Sequence, residues 1–303
     1  MHEIEHLFIS PDTQESLAYR PSEKLLSDAS QNWQYPVRDG VAYLLSATAH
    51  MKVLNSPLHQ KLGTSFHYID HYQKDAEYFD YFAGFESATA RHDNARLRQA
   101  IIAETVGLEG RILDVGCGSA WVAQHFCPLG IEVFSMDVST VNPERARQQY
   151  PFSNHYGVIA EVYALPFVDQ AFDCIIAAEV IEHVPDPALF IQHLLRILKP
   201  GGKLIITTPY RDQPAYYLCV HCNRPTPQHA HLHVFDEKSL ADLLPPSAQR
   251  LRLEAFSNFY LLKLRTYVLT RFLPFSGWKI LDRLANRIKR KPLRLLMSAR
   301  KGI

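Results

Sequence analysis

Glu179, Glu182 and His183 are the side chains in this sequence best spaced to do chemistry together. At i, i+3 and i+4 they share one helix face, so two carboxylates and an imidazole can converge on one point. A second group follows some forty residues on: Cys219-x2-Cys222, with His221, His229, His231 and His233 beside it. A C-x2-C pair followed by H-x-H offers zinc-type ligands, although the step from Cys222 to His229 is shorter than finger-type spacings. The same stretch reads equally as a polar pocket wall or as an ordinary loop. A zinc site here would compete with Glu182 and His183 for the same histidines. The third group is Asp114-x-Gly116-Cys117-Gly118, with Asp137 one apolar run later.

These residues need a scaffold that presents them on one side. Ile112, Leu113 and Val115 form an apolar strand that runs into the Gly116/Gly118 turn and then a helix, a nucleotide-binding βα junction. It is not the dinucleotide fingerprint, because the third glycine of G-x-G-x-x-G falls at Trp121, too bulky for close approach to a pyrophosphate. Strand-like runs near 111–115, 131–136, 155–160, 172–178 and 203–208 alternate with helical segments. That alternation predicts a parallel sheet with helices on both faces. Further strands are expected near 250–256 and 293–299. Ligands of such sheets bind beyond the carboxyl ends of the strands, at the topological switch point, and Asp114, Asp137, Glu161 and Glu179 all fall at those ends.

The D-x-G-C-G run resembles the first motif of class I S-adenosylmethionine (AdoMet) methyltransferases. Three later segments resemble the same family in the same order: Leu165-Pro166-Phe167 with Phe172-Asp173-Cys174-Ile175-Ile176, Glu179 to Val184, and Leu198-Lys199-Pro200-Gly201-Gly202-Lys203. The resemblance covers roughly 96–260 and implies an α/β fold, a Rossmann-like seven-stranded sheet with helices on both faces. It also implies AdoMet as cofactor. Backbone N–H groups around Gly116, Cys117 and Gly118 would take the tail carboxylate. Asp114 would face the ammonium and Asp137 the ribose hydroxyls. Glu161 and Val162 stand where the family has Asp and a small residue against adenine, so the longer Glu is a departure. Glu179 closes the list of cofactor-side residues.

The E-x-x-E-H pattern resembles that of ubiquinone-pathway O-methyltransferases and of small-RNA 3′-end 2′-O-methyltransferases, where it holds a divalent cation. By that likeness Glu179, Glu182, His183 and a fourth ligand, His231 or His233, are candidate metal ligands, His233 being preferred. A cation would lower the pKa of a bound hydroxyl. The same pattern also occurs in relatives without metal, and there His183 is the candidate general base. Ala177-Ala178-Glu179 replaces the Asn-Pro-Pro-Tyr of many nitrogen methyltransferases, which favours oxygen as the accepting atom. The expected function is methyl transfer to a small or lipid-linked acceptor. An RNA methyltransferase and a non-catalytic AdoMet-binding scaffold are the alternatives.

The sequence divides into 1–47, 48–95, 96–260 with an insertion at 211–235, and 261–303. The first part, with Tyr35-Pro36-Val37-Arg38-Asp39-Gly40-Val41, reads as a small β-rich module. It resembles the zinc-ribbon-like activators of tRNA methyltransferases, but Ser10 and Thr13 stand where that family often has cysteines. The second part reads as a helical cap over the active site, with Tyr68, Ile69, Tyr72, Ala76, Phe79 and Phe82 at near-helical spacing as core. Net charge is +1, yet twelve of the 32 Lys and Arg lie from Leu261 onward against one acidic residue, Asp282. A helix with Trp278, Leu281, Leu284, Ala285 and Ile288 on one face and Lys279, Arg283, Arg287 and Arg290 on another suits either a packed helix or an anionic membrane surface. The acidic first 260 residues disfavour nucleic acid. No run reaches the ~18 apolar residues needed to span a bilayer, the N-terminus lacks a secretory layout, and the five cysteines suit a reducing compartment. A cytoplasmic location is expected, with peripheral attachment at the inner membrane face as an option.

Overall fold

The computed structural model describes residues 1–47, 67–213, 215–220, 223 and 225–302. After a short 3-10 turn at His2–Leu7 come β1 (Ala18–Arg20), β2 (Leu25–Ser27), β3 (Gln34–Arg38) and β4 (Val41–Tyr43). Tyr35 and Val37 point inward while their neighbours are exposed, the period-2 pattern of a half-buried strand. Asp39 and Gly40, both with positive φ, make the two-residue turn that returns β3 into β4. At Ser10 and Thr13, where the sequence has no cysteines, hydrogen bonds do the fastening. The Ser10 hydroxyl bonds the Tyr35 hydroxyl at 2.9 Å and accepts from the Thr13 amide at 3.1 Å.

Next come α1 (Tyr68–Tyr78) and α2 (Ala88–Glu104), the latter capped by the Ser87 hydroxyl. The α/β core then runs β5 (Arg111–Val115), α3 (Trp121–Phe126), β6 (Glu132–Asp137), α4 (Val141–Gln149), β7 (His155–Ile159), β8 (Phe172–Ala178), α5 (Pro187–Ile197) and β9 (Leu198–Pro209). Asp186 caps α5 through two backbone amides and Pro187 occupies its first turn, so the helix start is fixed locally. A hairpin, β10 (Tyr216–Leu218) and β11 (Pro225–Pro227), precedes α6 (Glu237–Ala241) and β12 (Ala248–Asn258). Three helices, α7 (Phe259–Lys263), α8 (Tyr267–Thr270) and α9 (Phe275–Ile288), lead to β13 (Pro292–Lys301).

One sheet carries most of these strands in the order β1-β2-β3-β4-β7-β6-β5-β8-β9-β13-β12. The last seven are the expected α/β sheet, parallel from β7 to β9, with β13 antiparallel between β9 and β12. The four N-terminal strands extend it, because β4 pairs parallel with β7 (Val41 opposite Gly157). Phe8 is fully buried against Phe167, so the N-terminal strands and the α/β part share one core. Within that core Phe134, Phe167 and Phe172 meet edge to face with centroids 4.9–6.2 Å apart, each pair adding about 0.5–1.5 kcal/mol beyond burial. Successive β5 residues serve opposite faces: Ile112 packs with Leu97 and Ile101 of α2, Leu113 with Phe134 and Ile175. Strand order reverses between β5 and β8, so the switch point lies where Asp114 and Glu179 end their strands.

Candidate active site

The turn after β5 has the geometry that its glycines imply. Gly116 and Gly118 have φ of +66° and +47°, and a Cβ on Gly116 would lie 2.7 Å from the Val180 side chain. Only glycine fits there without displacing Val180. The Cys117 amide donates to the Met136 carbonyl at 3.0 Å, tying the turn to β6. Its thiol is buried, which pushes its pKa well up and leaves it inert.

Asp114 is buried at the end of β5, and its Oδ2 has no hydrogen-bond partner among the described residues. Burial, reinforced by the neighbouring Asp137, raises its pKa well above the usual carboxylate range, with Arg98 pulling the other way. Asp137 is differently held. The Ser139 amide and the Asn142 side-chain amide each donate to it at 3.0 Å, offsetting part of the upward push of burial. Glu161, buried after β7, receives the hydroxyl of Tyr68 from α1. Val162 is buried beside it, its carbonyl bonded to His193 at 3.1 Å.

Helix α1 therefore lies over the carboxyl ends of β5 to β8. Its Gln73 bonds the amide of Thr140 at 2.8 Å, and the following segment places the Tyr81 ring 3.4 Å from a Cβ built on Gly118. Tyr72, read from its spacing as core, has a buried hydroxyl without a partner and a ring 5.6 Å from that of His183. Tyrosine at this position is the functional-looking residue that spacing alone did not separate from Tyr68, Ala76 and the exposed Phe79.

Of the acid–histidine group, Glu182, His183 and His231 converge, one potential ligand atom from each lying within 4.8 Å of the others. Glu182 accepts from Thr208 at 2.9 Å through Oε2, while Oε1 is buried and unpartnered, 3.8 Å from His183 Nε2. Burial first, then Glu179, pushes the Glu182 pKa well up. Burial pushes His183 down to about 4, and nearby His231 adds to this. His231 is oriented by Asp212, 3.1 Å from its Nδ1.

Two of the expected metal ligands also have partners of their own. Glu179, in a left-handed conformation at the end of β8, pairs through Oε2 with Arg294, which also binds Asp93 at 2.8 Å, while its Oε1 is buried with no hydrogen-bond partner among the described residues. His233 Nε2 lies 2.9 Å from the Val184 carbonyl. The backbone explains why His231, and not His233, lies beside Glu182 and His183. Both the Leu232 and His233 amides donate to the Glu182 carbonyl, at 2.8 and 3.3 Å, which docks this strand-like segment with His231 toward His183. In the C-x2-C group, Cys219 is described, whereas His221 and Cys222 lie outside the described residues.

Known proteins agree with this architecture. The ubiquinone biosynthesis O-methyltransferase of Alkalilimnicola ehrlichii is 34% identical over 134 residues, covering 43% of this chain and 54% of that protein. The matched stretch thus spans about half the length of that relative. The crystal structure of the 4+2 cyclase SpnF superposes with a TM-score of 0.51 at 20% identity, covering 84% of this chain and 95% of that one. An S-adenosylmethionine-dependent methyltransferase from Mesorhizobium loti superposes with a TM-score of 0.50 at 20% identity, over 69% and 99% of the two chains. These two likenesses establish the fold. Residues 87–245, which hold the glycine turn, the switch point and the Glu182–His183–His231 group, match the family described as methyltransferase domain, and the chain belongs to that family.

Proposed function

We propose that the protein transfers a methyl group from AdoMet to a hydroxyl oxygen of a small or lipid-linked acceptor. The observation that carries this reading is that a buried carboxylate with an unpartnered oxygen beside a glycine turn and the Glu182–His183–His231 group follow the carboxyl ends of two adjacent parallel strands, β5 and β8. The chemistry of the first half suits the cofactor. Asp114 Oδ2 offers a desolvated anion for an ammonium, the Gly116–Gly118 turn offers backbone N–H groups for a carboxylate, and Asp137 is pre-oriented for vicinal hydroxyls. Glu161 already holds the Tyr68 hydroxyl, so Tyr68 and Glu161 would act on the adenine side as a pair. AdoMet supplies a methyl group on a good leaving group. The chain's own contribution is then to position the acceptor and exclude water, worth about 7–11 kcal/mol in well-oriented cases.

The second half suits a divalent cation held by Glu182, His183 and His231. The donor set is one carboxylate and two imidazoles, His183 is kept neutral by burial, and Glu182 Oε1 is unpartnered. A cation there would lower the pKa of a bound acceptor hydroxyl. A histidine with a pKa near 4 is a weak base on its own, so positioning a ligand suits His183 better than abstracting a proton. In a metal-free site the proton acceptor would be Glu182, whose proton affinity burial raises. The relatives named for ubiquinone biosynthesis O-methylation support oxygen as the acceptor atom. A lipid-linked acceptor would bring the protein to a membrane surface.

Calorimetric titration of S-adenosylhomocysteine, before and after EDTA treatment and with metal analysis of the same sample, tests both halves. Binding with about one equivalent of metal supports the whole reading. Binding without metal removes the cation and leaves Glu182 as base. Absence of binding sinks the enzymatic reading and favours a scaffold.

A further inference from the structure

We infer that the connection between β12 and β13, residues 259–291, is a docking surface for an anionic lipid bilayer beside the mouth of the active site. Helix α9 has its charges and its apolar side chains arranged contrary to the usual rule. Its buried side carries Trp278 together with Lys279, which pairs with Glu254 at 2.7 Å, and Asp282, which accepts from the Asn258 amide at 2.6 Å. Its outward side carries Ile280, Leu284 and Ile288 at i, i+4 and i+8, exposed by 60, 46 and 88%. Leu269 and Phe272, on the approach to α9, are 79 and 76% exposed. Scattered exposed apolar residues need no explanation, but a stripe of them on one helix and its approach marks an interaction surface.

Charge identifies the occupant. Between Phe259 and Lys291 there are nine Lys and Arg and a single acidic residue, the buried Asp282. Arg271, Arg283 and Arg287 are exposed around the stripe. An apolar stripe rimmed by arginine is the layout of a helix lying in the interface of an anionic membrane. A second copy of the chain fits poorly, because a twofold contact through this stripe would set the same arginines against one another.

Position adds a second, independent argument. Asn258 and Pro292, the ends of the excursion, are paired across β12 and β13, and Arg294 lies opposite Pro209 at the carboxyl end of β9. The excursion thus leaves the sheet at the same carboxyl end as Asp114 and Glu179, and Arg294, three residues past it on β13, pairs with Glu179. Arg96 of α2 anchors its base, donating to the Thr270 carbonyl at 2.7 Å. A membrane held by the stripe would lie on the side of the sheet where those strands end, from which a lipid-linked acceptor would enter.

Flotation of the full chain with phosphatidylcholine vesicles, with and without phosphatidylglycerol, tests this without cofactor or acceptor, so its failure is separable from failure of the methyl-transfer reading. The chain is expected to float with the anionic vesicles. Replacing Ile280, Leu284 and Ile288 together by Ser should abolish flotation, and Arg271→Ala and Arg287→Ala should each weaken it about fivefold. These side chains are exposed, so an unchanged circular dichroism spectrum and melting curve is expected and checks folding. Three results overturn the inference: no flotation of the parent chain, equal flotation of the triple variant, or a dimer in sedimentation that the triple variant dissolves while neither protein binds vesicles.

Discussion

Replacing Asp114 by Asn should make the empty protein more stable and the cofactor complex weaker. The carboxylate is buried, its Oδ2 has no partner, and Asp137 adds repulsion, so its charge is unfavourable until a cation arrives. Each pKa unit by which folding raises this group is about 1.4 kcal/mol of stability lost at neutral pH. An amide of the same shape carries no such penalty, although it keeps one imperfectly paired polar atom. The variant without ligand should therefore melt higher, by about 2–4 °C for each kcal/mol recovered. The sign with pH follows from the raised folded-state value. The stability contribution of Asp114 is fully present below its ordinary pKa of 3.8 and is lost as pH rises through the higher folded-state value. The gap between variant and parent should thus be widest at neutral pH and close on acidification. With S-adenosylhomocysteine the order reverses. A charge-assisted hydrogen bond of about 1.5–3 kcal/mol is lost, which weakens binding roughly 10- to 150-fold. Differential scanning fluorimetry with and without ligand, across pH, reads both effects. A variant that melts lower when empty and binds ligand as tightly as the parent would refute the argument and make Asp114 a structural residue.

Other perturbations separate the turn, the ion-pair network and the cap. Gly116→Ala should destabilise by about 1–3 kcal/mol in denaturant titration, and adding Val180→Ala should recover only the steric part, because φ at +66° is still strained. Arg294→Ala strands Glu179 and the buried Asp93, and a loss of about 3–5 kcal/mol is expected in the same titration. Tyr72→Phe removes a hydroxyl that has no hydrogen-bond partner among the described residues, so melting and S-adenosylhomocysteine affinity should hold while kcat with an identified acceptor falls about tenfold. Unchanged kcat would return Tyr72 to the core.

The strands β5 to β8 were legible because each is a short apolar run followed within a residue or two by Asp, Glu or Gly, and all seven observed α/β strands overlap the expected runs to within a few residues. The start of β9 is the largest boundary difference. Leu198 bridges to Phe172 ahead of the glycine turn, so pairing begins before the apolar run at 203. Asp114 and Asp137 were legible for the same reason as the strands, since strand ends and switch point follow from local pattern. Choices among histidines and glutamates were not, because they depend on distant partners. Glu179 pairs through one oxygen with Arg294 from the last strand, and His231 rather than His233 faces His183 because two amides of that segment fix on the Glu182 carbonyl. Nothing within a helical window announces either contact.

The amphipathic reading of α9 shows the limit of periodicity most clearly. A charged stripe and an apolar stripe were both visible in the sequence, and the hydrophobic effect alone would turn the apolar one inward. The neighbouring strand decided otherwise. Glu254 on β12 is itself largely buried and gathers Arg252, Lys279 and Arg283, while the strand's end leaves the Ser257 and Asn258 amides to be satisfied by Asp282. An unmet buried carboxylate and two unmet amides would each be costly, with penalties of about 1–3 kcal/mol per group and more for the charge. Meeting them requires Lys279 and Asp282 on the inner face of α9, and Ile280, Leu284 and Ile288 are then carried outward by the helix geometry. The exposed stripe is thus a consequence of satisfying buried polar groups next to the site. It leaves apolar area exposed among the described residues, where the inferred bilayer would cover it.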